Sequence, residues 1–135
     1  MKIFKKTLAI LLCLIMAVGI MPLSASAAVV SGATGSGTKN DPFIVDNFSE
    51  FKNALELKNG TYYVKVVGTF PETTITEFTD ESVITVSANA KIYVEINTEM
   101  NLICQEKGRA EYPVALISVL GELSLSGSGR IIFST

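Results

Sequence analysis

The 135-residue sequence contains no histidine, no tryptophan and only two cysteines. Without histidine, Ser-His-Asp and Cys-His catalysis are excluded, because neither nucleophile has the imidazole base its chemistry uses. The usual His/Cys zinc sites are excluded as well, since Cys13 and Cys104 cannot supply the ligand set. Without tryptophan, the broadest side-chain platform for a sugar ring is missing, and Tyr62, Tyr63, Tyr93 and Tyr112 are the remaining phenolic rings. Arginine is scarce, with Arg109 and Arg130 alone. Thirteen acidic residues outnumber eleven basic ones, for a net charge of −2. That balance argues against a nucleic-acid partner, because phosphate binding rests on clustered basic residues.

Long apolar runs are also few. The first, Leu8 to Met21, has 14 residues without charge, behind Lys2, Lys5 and Lys6. It is shorter than the ~20 residues a membrane-spanning helix needs and fits the core of a signal peptide. Pro22 breaks the run, and Ala25-Ser26-Ala27 supplies small residues for cleavage. Residues 1–27 are therefore read as a signal peptide cut near Ala27. The protein is expected to be secreted or at the cell surface, with no membrane attachment after cleavage. Cys13 follows Leu12 in mid-run and does not fit a lipidation site. Cleavage leaves 108 residues, enough for one domain, with eight basic against 13 acidic residues and a net charge of −5. Cys104 is then alone, so no intrachain disulfide is expected. It shares parity with Met100 and Leu102 on an alternating segment, which assigns it to an apolar face as a small hydrophobe.

Residues 28–40 are rich in Gly, Ser, Thr and Ala and read as a flexible lead-in. Gly32 and Gly37 have the separation of a phosphate loop, but Thr38 stands where its lysine belongs and no helix begins directly after Lys39, so nucleotide binding is not assigned. Asn40-Asp41-Pro42 is a turn and Phe43-Ile44-Val45 a short strand. Asn47 is a good helix N-cap, with Glu50 placed to complete a capping box. Phe48, Phe51, Ala54 and Leu55 form one helical stripe, and Lys58-Asn59-Gly60 is a stop signal, so the spacing predicts a helix over 48–58. Beyond Gly60, β-branched and alternating segments at 61–67, 83–86, 91–96, 100–104, 121–126 and 130–133 predict strands. The second apolar run, Val114 to Leu120, predicts a strand buried on both faces. The expected class is mainly β behind one helix. A displacement of 31 residues sets Ile92 on Leu123, Val94 on Leu125, Met100 on Ile131 and Leu102 on Phe133, and fails where Ile96 meets Gly127. A period of this size suits stacked coils.

Two stretches carry a family resemblance. Gly37-Thr-Lys-Asn-Asp-Pro-Phe-Ile-Val45, followed by Phe48 to Leu55, resembles the opening of secreted right-handed parallel β-helix proteins. Tyr112 to Ile131, with its Gly121-Glu-Leu-Ser-Leu-Ser-Gly-Ser-Gly-Arg-Ile step, resembles their coil pattern. The nearest named relative is the pectate lyase-like adhesive domain of bacterial surface proteins. The resemblance covers most of 37–133 and rests on core and turn positions. It implies a right-handed parallel β-helix over 41–135 with an N-terminal capping helix; a small β-sandwich is the alternative. It also implies a secreted or cell-surface non-catalytic module for adhesion or for binding carbohydrate or wall. The alternative is the N-terminal fragment of a polysaccharide lyase or hydrolase. The expected partner is extracellular polysaccharide, a cell wall or a host surface. Ile131-Ile132-Phe133 is apolar where a terminal coil normally turns a polar face outward, so the domain is expected to be incomplete at its C-terminal end.

No catalytic residue, metal ligand or cofactor is assigned, and the binding residues are left open. Glu77, Asp80 and Glu81 are the densest acidic cluster, but they lack the regular spacing of a calcium loop and read as a solvated loop. Lyases on the β-helix fold resemble one another in setting carboxylate-held calcium beside a basic residue. Neither Arg109 nor Arg130 can be matched to such a set.

Overall fold

The computed structural model describes residues 27–76, 82–104 and 115–134. Residues 1–26, which make up all but the last residue of the expected signal peptide, the acidic cluster at Glu77, Asp80 and Glu81, and Lys107, Arg109, Tyr112 and Val114 lie outside the described residues. Among the described residues nine strands and one helix follow in the order β1 (Phe43–Val45), α1 (Phe48–Leu55), β2 (Asn59–Val66), β3 (Thr73–Ile75), β4 (Ser82–Val86), β5 (Asn89–Ile96), β6 (Glu99–Cys104), β7 (Ala115–Val119), β8 (Glu122–Ser126) and β9 (Arg130–Ser134).

The strands form three sheets, ordered β1-β2-β5-β8, β3-β6-β9 and β4-β7, and every pairing is parallel. From β2 onward, successive strands visit the three sheets in strict rotation. Beyond the β1–β2 pair, consecutive strands therefore do not pair, and from β2 onward each strand lies beside the one three positions away. The displacement of 31 is the register of β5 on β8 and of β6 on β9: Ile92 faces Leu123, Val94 faces Leu125, Met100 faces Ile131 and Leu102 faces Phe133. The failure at Gly127 has a cause. Strand β8 ends at Ser126, and Gly127 takes φ +101° to turn the chain. A Cβ there would collide with the Ile96 carbonyl oxygen, so an apolar side chain cannot continue the column.

The core lies between the sheets and is built of apolar columns. Phe43, Val64 and Val94 stack in register and are each at most 2% exposed, whereas the next member, Leu125, is 52% exposed. Val45, Val66 and Ile96 make a second column, and Met100, Leu102 and Cys104 face inward from β6. Alternation thus places Cys104 where the sequence does, and burial raises the pKa of its thiol. Burial is complete in the first layers and declines in β7, β8 and β9. The expectation of a doubly buried strand at 114–120 is corrected by this: β7 is half-buried, and Val119 and Leu120 are 45% and 65% exposed. Among the described residues its apolar strand pairs with one neighbour, β4.

The Asn47 side chain caps α1 by accepting from the Glu50 N–H at 3.0 Å. The Glu50 carboxylate reaches the Asp46 N–H instead of the N-cap's own, so the expected box is displaced by one residue. The helix also stops earlier than expected, with Glu56 as C-cap, because Asn59 and Gly60 already belong to β2. Phe51, Ala54 and Leu55 are buried, and α1 packs on β1 and β4. Lys52 ties the helix to the body by donating to the Val83 carbonyl at 2.5 Å. The segment 28–40 has a lead-in composition but is pinned at several points. Val30 is buried, Thr34 bridges Ile44 antiparallel, and the Gly37 carbonyl accepts from the Tyr63 N–H at 2.9 Å. Strand β3 carried too short a pattern to be predicted.

Candidate functional site

A strand covered on one face sends alternate side chains to solvent, and in-register parallel pairing lines those side chains up across the sheet. On the outer face of the four-stranded sheet this produces three columns: Thr61-Lys91-Glu122, Tyr63-Tyr93-Ser124 and Lys65-Glu95-Ser126. The two tyrosines stack at 5.0 Å between centroids with 15° between planes. That separation is close to the ~4.8 Å spacing of neighbouring strands, so the stack follows from the register.

Charged pairs surround the rings. The Glu122 carboxylate accepts from the Tyr93 hydroxyl at 2.9 Å and pairs with Lys91 Nζ at 3.2 Å. On the other side, Lys65 Nζ lies 3.3 Å from the Glu95 carboxylate, which also accepts from Asn97 Nδ2 at 2.5 Å. The hydrogen bond to Glu122 and that group's negative charge push the Tyr93 phenol above its ordinary pKa. Glu122 is held below the carboxylate range by the Tyr93 hydroxyl and by Lys91. Glu95 is lowered by the Asn97 hydrogen bond and then by Lys65. Between Tyr63, Tyr93, Lys65 and Glu95 runs an open groove of ≈ 520 Å³, with Lys39, Pro42 and Ser126 also lining it. Lys39 has no ion-pair partner among the described residues.

Among the described residues no group of three or more acidic or thiol ligands is placed to hold a metal. Arg130 is engaged with Glu99 at 2.5 Å, and Asn101 donates to the same carboxylate group at 3.2 Å. This arrangement buttresses adjacent strands of a second sheet. The outer face of the four-stranded sheet thus presents two stacked phenol rings flanked by two lysine–carboxylate pairs.

The sequence offers Tyr62, Tyr63, Tyr93 and Tyr112 alike as the remaining phenolic rings and does not bring Tyr63 and Tyr93 together. Their 30-residue separation, set by the β2–β5 register, differs by one from the 31 of the later strands, which hid the match. Tyr62 shares inward parity with Val64 and packs against the core. Among the described residues no helix is long and apolar enough to cross a membrane. Comparison with protein-family models, with curated proteins and with solved structures gives no match to this chain.

Proposed function

We propose that the chain forms the first coils of a right-handed parallel β-helix, exported to the cell exterior, and serves as a non-catalytic module that binds extracellular polysaccharide or cell wall. The observation that supports this most is the strict rotation of β2 to β9 through three parallel sheets in register. Such a rotation is what a coil repeat produces, and parallel crossovers are right-handed in about 98% of cases. It disfavours the small β-sandwich, whose sheets pair antiparallel. In this reading α1 and residues 28–40 close the first coil and shield its edge. The signal-peptide pattern before Ala27 supplies export.

The test is a sedimentation assay of the purified protein with insoluble wall preparations and polysaccharides, run beside assays for reducing ends and unsaturated products. Retention without product formation supports a binding module. Product formation would replace it with the lyase or hydrolase reading, and failure to sediment with any of the materials would refute polysaccharide binding.

A further inference from the structure

We infer that the outer face of Tyr93 is the stacking subsite for a pyranose ring of an uncharged polysaccharide, an inference that rests on the polysaccharide-binding reading and assigns it a place and a ligand class. Tyr63 is stacked on one face of Tyr93. The opposite face of Tyr93 looks toward β8, and the in-register residue there is Ser124, which is small and exposed. The tyrosine column therefore ends at Tyr93, and on β8, the last described strand of this sheet, a small exposed serine stands where a third ring would continue it. The negative π-face of a phenol attracts the C–H groups on the apolar side of a sugar ring, while its edge stays wet.

Tyr93 is also held in place before any ligand arrives. Tyr63 supports it from below and the Glu122 carboxylate holds its hydroxyl at 2.9 Å. A side chain already fixed loses little further freedom on binding. Polar groups stand in the columns on either side of the tyrosines: Glu122 and Lys91 in one, Lys65 and Glu95 in the other. Carboxylates accept from hydroxyls and ammonium groups donate to them.

The charge pattern selects an uncharged chain. Lys65 is matched by Glu95 and Lys91 by Glu122, so the four groups around the ring sum to zero. A polyanion would meet two carboxylates already in place, with Lys39 the one unmatched cation among the described residues lining the groove, and a compensated surface gives little long-range attraction.

The test is calorimetric titration of the purified protein, and of its Tyr93→Ser and Tyr93→Phe variants, with soluble cello-, xylo- and manno-oligosaccharides and with polygalacturonate, at low and high salt. Tyr93 is half-exposed on the outer face, so each variant should fold, which melting curves check before titration. The expected result is salt-insensitive binding of at least one uncharged oligosaccharide. Tyr93→Ser then weakens binding about ten-fold through loss of the ring face. Tyr93→Phe keeps the face and stays within about three-fold, the scale of one hydrogen bond. Binding to an uncharged chain that Tyr93→Ser leaves unchanged would overturn the assignment. So would salt-dependent binding to polygalacturonate alone, and in both cases the polysaccharide-binding reading would stand. If the wild-type protein bound none of these probes yet was retained on wall material, the subsite would fall and the reading survive. Retention on neither would remove both.

Discussion

Truncation of Ile92 and of Leu125 separates the layers of the core. Ile92 is fully buried on β5, between Tyr62 of β2 and Leu123 of β8. Replacing it with alanine removes three methyl or methylene carbons from a site closed on both sides, where the cavity cannot collapse. Such changes cost about 2–5 kcal/mol. Leu125 is a leucine in the last layer with 52% of its surface still in water. Only about half of the ~1.5–3 kcal/mol available from burying such a side chain is realised there, and no enclosed cavity forms on truncation, so Leu125→Ala should cost about 1 kcal/mol. In a domain of this size each kcal/mol moves the melting temperature by roughly 4–8 °C. Ile92→Ala should therefore lower the midpoint by about 10 °C or more, and Leu125→Ala by about half that or less. Calorimetry or denaturant unfolding of the two variants reads the contrast directly. Equal losses would refute the reasoning, because they would mean that the layer at β8 is covered in solution by something the present arrangement does not contain.

Other expectations follow from single features. Gly127→Ala forces a Cβ toward the Ile96 carbonyl at φ +101° and should cost about 1–3 kcal/mol, whereas Gly68→Ala, also at positive φ but with open space around it, should cost less; equilibrium unfolding compares them. Glu99 is lowered by its bonds to Arg130 and then Asn101, so its contribution is present above the ordinary value of 4.5 and is lost as pH falls through the lower folded value; Glu99→Gln should flatten the acid side of the melting-temperature profile. Tyr93 is raised above 10.0, so its contribution is present below that pH and lost as pH rises through the higher folded value; ultraviolet titration should show one late phenol, and Glu122→Gln should bring it down. Cys104 is buried with a raised pKa and should react with a disulfide reagent only after denaturant is added.

Much of this architecture is legible in the sequence because alternation and burial coincide. The inward parity of Ile92, Val94 and Ile96, and of Met100, Leu102 and Cys104, fixes which face each strand buries, and a displacement of 31 fixes the register of the last two pairs. What remained hidden depends on long-range context. The composition of Val114 to Leu120 speaks of burial, but burial is set by what packs around the strand, and among the described residues β7 pairs with β4 alone. The early end of α1 reflects tertiary competition: Asn59 and Gly60 make a plausible helix stop, yet pairing with Asn89 and Ala90 draws them into β2. The lead-in at 28–40 has a flexible composition, and it is long-range contacts, the burial of Val30 and the pairing of Thr34 with Ile44 and of Gly37 with Tyr63, that pin it. The tyrosine stack was the least legible feature, since it arises from a register one residue different from that of the later coils.

The central claim is that strands three apart in sequence order lie side by side, parallel and in register. Interstrand nuclear Overhauser effects on isotope-labelled protein test it most directly. The account predicts backbone contacts linking Tyr63 with Tyr93, Tyr93 with Ser124, and Met100 with Ile131, in the parallel pattern. Contacts instead joining consecutive strands, such as β5 antiparallel to β6, would contradict it.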